Sequence, residues 1–119
     1  IAAGIMVSEA LAAAEQLAVE GISARVIDMF TIKPIDADLI KQAAAETGAI
    51  VTCENHSVIN GLGSAVAEVL VQNTPVPMKM VGVKDQFGEV GDEAYLKERF
   101  GLTAANIVEK AKAALARKK

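Results

Sequence analysis

Apolar residues along the chain follow two alternating patterns. Between Val7 and Glu20 they recur every three or four residues, which predicts an amphipathic helix. Segment 49–54 is instead a short continuous apolar run, as in a parallel strand buried on both faces. The first helix is predicted to bury Val7, Ala10, Leu11, Ala14, Leu17 and Ala18. Across the chain, we predict helices over about 7–20, 37–46, 62–72, 92–100 and from 104 onward, and strands over 1–3, 23–30, 49–54 and 76–83.

Polar residues and glycines mark the ends of these helices. The predicted N-terminal caps are Asp36, Asp92 and Thr103, with Ser8 near the start of the first helix. Gly21 and Gly48 stand where the first two helices should end. In the last helix we predict a buried stripe of Ile107, Val108, Ala111, Ala114 and Leu115. Segment 84–91 contains glycines and is predicted to be a loop.

The order of elements is strand then helix, repeated, with connections too long for hairpins. This order predicts an α/β domain with a mostly parallel sheet and helices on both faces. We find no composition shift, so residues 1–119 are predicted to form a single domain. The chain begins inside an apparent strand, and we therefore expect a piece of something larger with its first strand truncated.

Composition narrows the classes of function. Hydrophobic residues make up 52% and aromatic residues 3%, so the core must be built from Ala, Val, Ile and Leu. A net charge of −3 argues against nucleic acid as the main partner. No apolar run approaches the roughly 20 residues of a membrane span. A single cysteine cannot form an internal disulfide, which favours a cytoplasmic location.

The only cysteine and the only histidine both lie in segment 50–66, which reads IVTCENHSVINGLGSAV. Cys53 stands in the buried strand run and is interpreted as a small core residue, not a nucleophile. Zinc sites need three or four protein ligands, usually nitrogen or sulfur, and the chain has one Cys and one His. We therefore predict no catalytic residue, no cofactor-binding residue and no metal site.

The glycines of this segment suggest a phosphate-binding loop. Gly61 and Gly63 precede a predicted helix, and Asp85 follows about twenty residues later, as in a dinucleotide fingerprint. Val66 occupies the third glycine position, however, and the glycines lie well beyond the predicted strand end. Glycines that permit close packing and a sharp start to the helix are the favoured interpretation.

His56 lies where parallel α/β proteins place functional groups, at the carboxyl end of a strand. Glu54 is near enough in sequence to orient it or to favour its charged form. No second catalytic group is visible, so a surface or interface histidine is favoured. The residues predicted to bind an anion or to form an interface are Glu54, His56, Gly61 and Gly63.

Three segments of the chain resemble the C-terminal domain of transketolases. They read GIMVSEALAAAEQLAVEGISARVIDMFTIKPID (4–36), VTCENHSVINGLGSAVAEVL (51–70) and GVKDQFGEVGDEAYLKERFGLT (82–103). Together they span nearly the whole chain in the family's order. The resemblance implies a three-layer α/β/α domain with a mixed, mostly parallel sheet of about five strands, the first of them antiparallel.

The resemblance also implies a function for the parent enzyme. Transketolases transfer a two-carbon ketol unit between ketose and aldose phosphates in the pentose phosphate pathway, using thiamine diphosphate and Mg²⁺. In the family both cofactors are bound by the other domains, at their dimer interface. This domain is therefore expected to be non-catalytic, to pair with an N-terminal section or subunit, and to support the homodimer of the complete enzyme.

Two alternatives remain at this point. The same domain ends the beta subunit of 2-oxoacid dehydrogenases and also deoxyxylulose phosphate synthase. The second alternative is a free-standing α/β module that binds a nucleotide or another anion at Gly61 and Gly63.

Overall fold

The structure, a computed structural model, describes residues 1–83 and 92–118. These residues form five helices and two strands. In chain order they are α1 (Met6–Val19), α2 (Ala37–Thr47), β1 (Ile50–Ser57), α3 (Leu62–Gln72), β2 (Met78–Val83), α4 (Glu93–Phe100) and α5 (Ala104–Ala116). The predicted loop 84–91, with Asp85, lies outside the described residues.

The sheet is parallel, as predicted. Strands β1 and β2 pair with Cys53 opposite Val81, and the register shifts between Cys53 and Ser57. Two shorter segments extend the sheet, because Ala2 bridges in parallel to both Asp28 and Cys53. The N–H of Ala2 donates to the carbonyl of Ile27 at 2.8 Å. The order across the sheet is therefore 26–29, 1–3, β1, β2.

The predicted strands differ in how far they form. Segments 49–54 and 76–83 are confirmed as β1 and β2. Segments 1–3 and 23–30 form only isolated bridges. Segment 1–3 is too short to form a longer ladder, and segment 23–30 pairs with no other segment among the described residues. The five strands implied by the family resemblance are not present among the described residues. The antiparallel first strand that the resemblance implied is wrong, because segment 1–3 bridges in parallel to both of its neighbours.

Helices cover both faces of the sheet, which makes the domain three-layered. Helices α1 and α5 pack on one face, and α2 and α3 pack on the other. Successive residues of β1 serve opposite faces, as the pleat of a strand requires. Ile50 thus joins the core on the α2/α3 side, whereas Cys53 joins the core on the α1/α5 side.

Most predicted helix ends are confirmed. The side chains of Asp36, Asp92 and Thr103 each accept a backbone N–H from the first turn of α2, α4 and α5. Gly48 ends α2 in the left-handed region, at φ +76°. The prediction for Ser8 is wrong, because Ile5 is the N-cap and has no side-chain cap. The Ser8 hydroxyl instead donates to the carbonyl of Ile5 from inside the first turn.

The buried face of α1 was predicted only in part. The structure buries Met6, Ala10, Ala13 and Leu17. Leu11 and Ala18, which were predicted to be buried, are exposed. Since α1 is apolar on most of its circumference, the spacing of apolar residues does not determine which side faces the sheet. The stripe predicted for α5 is confirmed, because its residues are buried or half-buried.

No helix within residues 1–83 and 92–118 has the length and apolar character needed to cross a membrane.

The core makes a testable prediction about Ile40. This side chain is completely buried in α2, whereas Ile59 is about half exposed in a loop. We expect Ile40→Ala to lower the free energy of unfolding by about 2–5 kcal/mol, since it leaves a cavity. Ile59→Ala removes the same atoms from a solvated site and should cost less than about 0.5 kcal/mol. Urea unfolding followed by circular dichroism measures both, and equal losses would contradict the assigned core.

Candidate functional site at the carboxyl end of strand β1

Glu54 lies at the centre of the segment that the sequence singles out. Its side chain is buried, and its two carboxylate oxygens accept hydrogen bonds from the N–H groups of Leu62 at 2.9 Å and Gly63 at 2.8 Å. These donors belong to the first turn of α3, where backbone N–H groups have no partner within the helix. The N-cap residue Gly61 has no side chain to satisfy them. Glu54 therefore caps α3 from the neighbouring strand.

The burial of this carboxylate requires compensation, because an isolated ion in the protein interior is strongly unfavourable. Two charge-assisted hydrogen bonds supply part of it, each contributing about 1.5–3 kcal/mol. The positive end of the α3 dipole adds a further favourable interaction. The Glu54 carboxylate thus occupies the place at the start of α3 where an anion from solution would otherwise bind.

Glycines provide the space around Glu54. A Cβ atom on Gly61 would collide with the Glu54 carboxylate. A Cβ on Gly82 would lie 2.7 Å from Cγ1 of Val58 and 3.1 Å from Cγ of Glu54. A Cβ on Gly63 would lie 3.0 Å from the sulfur of Met80. The interpretation of Gly61 and Gly63 as packing glycines is confirmed.

The same geometry disfavours a phosphate at this loop. The N–H groups of Leu62 and Gly63 already donate to Glu54, so a phosphate would have to displace a buried carboxylate of the same charge sign. Anion binding at Gly61 and Gly63 stays a prediction, although the N–H groups of Leu62 and Gly63 are already bonded to Glu54.

His56 is exposed near the end of β1. Its ring makes no hydrogen bond within the described part of the chain, and Glu54 directs both of its oxygens to backbone amides. Glu54 therefore does not orient His56, although the sequence left that possibility open. A surface or interface role for His56 stays a prediction.

The loop between β1 and α3 is held by a small network of hydrogen bonds. The N–H of Val58 donates to the carbonyl of Val83 at 2.9 Å. The Ser64 hydroxyl accepts from the N–H of Asn60 and donates to the carbonyl of Val58, both at 2.9 Å. Asn60 adopts the left-handed region at φ +62°. Since β1 extends to Ser57, only residues 58–60 separate the strand from Gly61, fewer than the sequence predicted.

Cys53 is a core residue, as predicted. It is buried on the α1/α5 side of the sheet with Ala2, Met6 and Val81. Burial raises the pKa of the Cys53 thiol to about 11, because the thiolate would lose its hydration. A thiol in this state is a poor nucleophile at neutral pH.

The capping role of Glu54 was not predicted from the sequence. Two features of the sequence could have indicated it. Glu54 directly follows an apolar strand run, and the next helix begins after Gly61, which has no side chain to cap it. Thr52, also buried, was not singled out either, and its hydroxyl has no hydrogen-bond partner among the described residues.

The described residues do not form a site for the cofactors that the resemblance implies. Within 1–83 and 92–118, no three His, Cys, Asp or Glu side chains come together in an arrangement that could hold a metal ion. The first two amides of α3, those of Leu62 and Gly63, are bonded to Glu54. These residues therefore do not fit Mg²⁺ or thiamine diphosphate.

Comparison with known proteins identifies the family. The family model for the transketolase C-terminal domain matches residues 1–107. The chain belongs to this family. A solved split-gene transketolase, described as an inactive beta4 tetramer, matches 99% of the chain and 39% of its own with a TM-score of 0.95 and 52% identity.

Named relatives span two kinds of enzyme. A 6-deoxy-6-sulfo-D-fructose transketolase subunit from Clostridium sp. (strain MSTE9) is 59% identical, over 93% of this chain and 34% of the relative. The 1-deoxy-D-xylulose-5-phosphate synthase 1 of Geobacter sulfurreducens is 43% identical, over 99% of this chain and 19% of the relative. The chain thus spans between about a fifth and two fifths of these three proteins.

The cap predicts that Glu54 is sensitive to loss of its charge. In Glu54→Gln the side-chain oxygen can still accept one amide N–H, but its NH₂ group would face the other donor. We expect a loss of about 2 kcal/mol in the free energy of unfolding. The control is Glu68→Gln, an exposed position on the capped helix α3, which should change stability by less than about 0.5 kcal/mol. Similar effects of the two variants in urea unfolding would contradict the cap.

The raised pKa of Cys53 predicts slow thiol chemistry. At pH 8 a thiol with a pKa of about 11 is about one thousandth thiolate, whereas an unfolded cysteine is about a quarter thiolate. We expect a disulfide reagent to label the folded domain at least about 100-fold more slowly than the urea-unfolded chain. Because the folded pKa is the higher one, the associated stability is complete below about pH 8.5 and is lost as the pH rises towards 11. Comparable labelling rates at pH 8 would refute the buried thiol.

Proposed function

We propose that this chain is the non-catalytic C-terminal domain of a thiamine-diphosphate-dependent transketolase, which transfers a two-carbon ketol unit between ketose and aldose phosphates. The observation that carries the proposal is the match, at 59% and 52% identity, to proteins described as split transketolases or their subunits. In each case the match covers little more than a third of the other chain. The catalytic groups would then lie in the remaining part of the enzyme.

The chemistry of the described residues supports a structural role. Glu54 uses both oxygens to cap α3, so it is not available to move protons. Cys53 is buried with a raised pKa. His56 is accessible but has no neighbouring acid or base within hydrogen-bonding distance among these residues, and general acid–base catalysis requires such positioning.

Several finer features belong to the same proposal. Thiamine diphosphate and Mg²⁺ would be bound by other domains, and an N-terminal section or subunit would supply them within a homodimer of the complete enzyme. The polypeptide outside this domain would also complete a sheet of about five strands alongside segment 26–29, whose outer edge has no partner strand among the described residues. The enzyme would act in the cytoplasm.

The sugar substrate is a separate question. The first relative is described as acting on 6-deoxy-6-sulfo-D-fructose, whereas the pentose phosphate pathway uses xylulose 5-phosphate and ribose 5-phosphate. The Geobacter relative keeps deoxyxylulose phosphate synthase as the second candidate function, because it matches 99% of the chain. We retain ketol transfer to an aldose phosphate as the first proposal, since the higher identities belong to transketolases.

The test combines the complete subunit that contains this domain with the polypeptide that supplies the remaining domains. Ketol transfer is assayed with thiamine diphosphate and Mg²⁺, from xylulose 5-phosphate and from 6-deoxy-6-sulfo-D-fructose to an aldose phosphate. We expect transfer from one of these donors. A parallel assay replaces the ketose donor by pyruvate, which can supply an acetyl unit with loss of CO₂. Folded complex that gives no ketol transfer but forms 1-deoxy-D-xylulose 5-phosphate from pyruvate and a three-carbon aldose phosphate would replace the proposal by the synthase.

The proposed structural role predicts a small effect at His56. We expect His56→Ala in the complete enzyme to lower kcat/KM less than about tenfold, which corresponds to less than about 1.4 kcal/mol of transition-state stabilisation. Ser57→Ala, the adjacent exposed position, serves as the control for local disturbance. A loss of several orders of magnitude for His56→Ala alone would overturn the view that this domain is non-catalytic.

A further inference from the structure

The loop between β1 and α3 contains an asparagine that is followed by a glycine. Asn60 is exposed, and its carboxamide makes no hydrogen bond within residues 1–83 and 92–118. The N–H of Gly61 likewise donates to no acceptor in this part of the chain. Gly61 has no Cβ atom, so the preceding side chain can approach its nitrogen. An electrophilic side-chain carbonyl and an unshielded nitrogen nucleophile therefore occupy adjacent residues.

The three other asparagines of the chain lack this combination. Asn73 is exposed, but its side chain donates to the carbonyl of Val69 at 2.8 Å, and the next residue is the β-branched Thr74. Asn55 and Asn106 are half-buried, and each is followed by a residue with a large side chain. A side chain on the following residue crowds the backbone nitrogen that would have to react. Asn60 is therefore the asparagine most open to attack by its own main chain.

We propose that Asn60 and Gly61 form a site of spontaneous deamidation, at which Asn60 is converted to aspartate and isoaspartate. Hydroxide removes the proton from the Gly61 nitrogen, which attacks the side-chain carbonyl carbon of Asn60. A C–N bond forms, and the carboxamide nitrogen takes up a proton from water and leaves as ammonia, which gives a cyclic succinimide. Water then opens the ring at either carbonyl, so one water is consumed and one ammonia is released overall. The reaction needs no cofactor and no other side chain.

The hydrogen bonds of the loop oppose the reaction without preventing it. The N–H of Asn60 donates to the Ser64 hydroxyl at 2.9 Å, and the carbonyl of Gly61 accepts from the N–H of Ala65 at 3.1 Å. Ring closure requires rotation of the Asn60 backbone, so these bonds must open first. Residues 58–60 are exposed or half-buried, and such loops open locally at a much lower free energy than the whole domain unfolds. Asn60 can therefore react in the folded protein.

The isoaspartate product is expected to disturb the cap that Glu54 provides. In this product the main chain runs through the former side chain, which inserts an extra carbon before Gly61. There is little space for the displacement, because a Cβ atom on Gly61 would lie 2.7 Å from the carbonyl oxygen of Ser57 and would collide with the Glu54 carboxylate. The product also adds a negative charge to the loop beside this buried carboxylate, and like charges disfavour each other. The first turn of α3 should therefore be loosened.

The test follows Asn60 in the complete subunit that contains this domain. The unsubstituted subunit is incubated in mildly alkaline buffer, and an endoproteinase that cuts after glutamate separates Asn60 from Asn73, since Glu68 lies between them. Mass spectrometry measures the mass gained when an amide becomes an acid. Asn73 is the matched internal control, because it is an exposed asparagine of the same molecule. Asn60→Gln is the control for the chemistry, since glutamine would have to close a larger ring.

We expect Asn60 to deamidate at least about tenfold faster than Asn73, which corresponds to a difference of about 1.4 kcal/mol in activation barrier. Isoaspartate should form together with aspartate, because the ring opens at either carbonyl. Equal rates at the two asparagines, or aspartate without isoaspartate, would overturn the proposal. An undiminished mass gain in Asn60→Gln would also overturn it, since the reaction would then belong to Asn55 in the same peptide.

Hydrogen exchange of the aged subunit tests the effect on the cap. We expect the amides in the first turn of α3 to exchange at least about tenfold faster in the isoaspartyl form than in the unmodified form. Asn60→Asp is the control, because it adds the negative charge without the extra main-chain carbon, and it should change this exchange less. Equal exchange in the isoaspartyl and unmodified forms would contradict the loosening of the cap. Neither measurement uses ketol transfer, so their outcome is independent of the proposed function.

Discussion

The hydrogen bonds between the Glu54 carboxylate and the first turn of α3 join the sheet to one of its covering layers. A buried carboxylate is tolerated only when it is fully compensated, so the position of α3 is linked to that of β1. The compensation in turn requires small residues beside the carboxylate, and Gly61 and Gly82 provide that space. Two local features accompany this buried charge: α3 starts at a glycine, and the loop between β1 and α3 is short. His56 and Ile59, at and just beyond the carboxyl end of β1, are exposed to solvent.

The opposite face of the sheet uses a related arrangement. Glu9, in the first turn of α1, accepts the N–H of Ala104 at the start of α5 at 2.9 Å and pairs with Lys97 at 3.1 Å. On both faces, then, an acidic side chain from one element caps the N-terminus of a helix that comes later in the chain. Capping of this kind satisfies orphan N–H groups and fixes the relative position of two elements with the same bonds. The Lys97 pair is partly solvated, so its ionic part contributes little, and the amide bond is the more important contact.

Features that depend on neighbours in sequence could be predicted, and features that depend on neighbours in space could not. Asp36, Asp92 and Thr103 cap helices that begin at the next residue, and the sequence pattern identified all three. Glu54 and Glu9 cap helices that begin many residues later, and no local pattern reveals such a partner. Segment 23–30 has strand-forming residues but forms only a bridge, because hydrogen bonding in a sheet also needs a neighbouring strand of similar length. The packing role of the glycines was inferred correctly, although the carboxylate that they accommodate was not recognised.

Similarity at this domain identifies the family more readily than the reaction. The chain matches a sulfosugar transketolase subunit and a deoxyxylulose phosphate synthase over nearly its whole length, although these relatives are described as acting on different compounds. The structure of the domain shows contacts within the domain: two apolar cores, a parallel sheet, and two helices that are capped by acidic side chains from other elements. The Glu54 carboxylate belongs to this internal framework, because both of its oxygens are bonded to the first turn of α3. Under the proposed function, the sugar would be recognised by the rest of the enzyme.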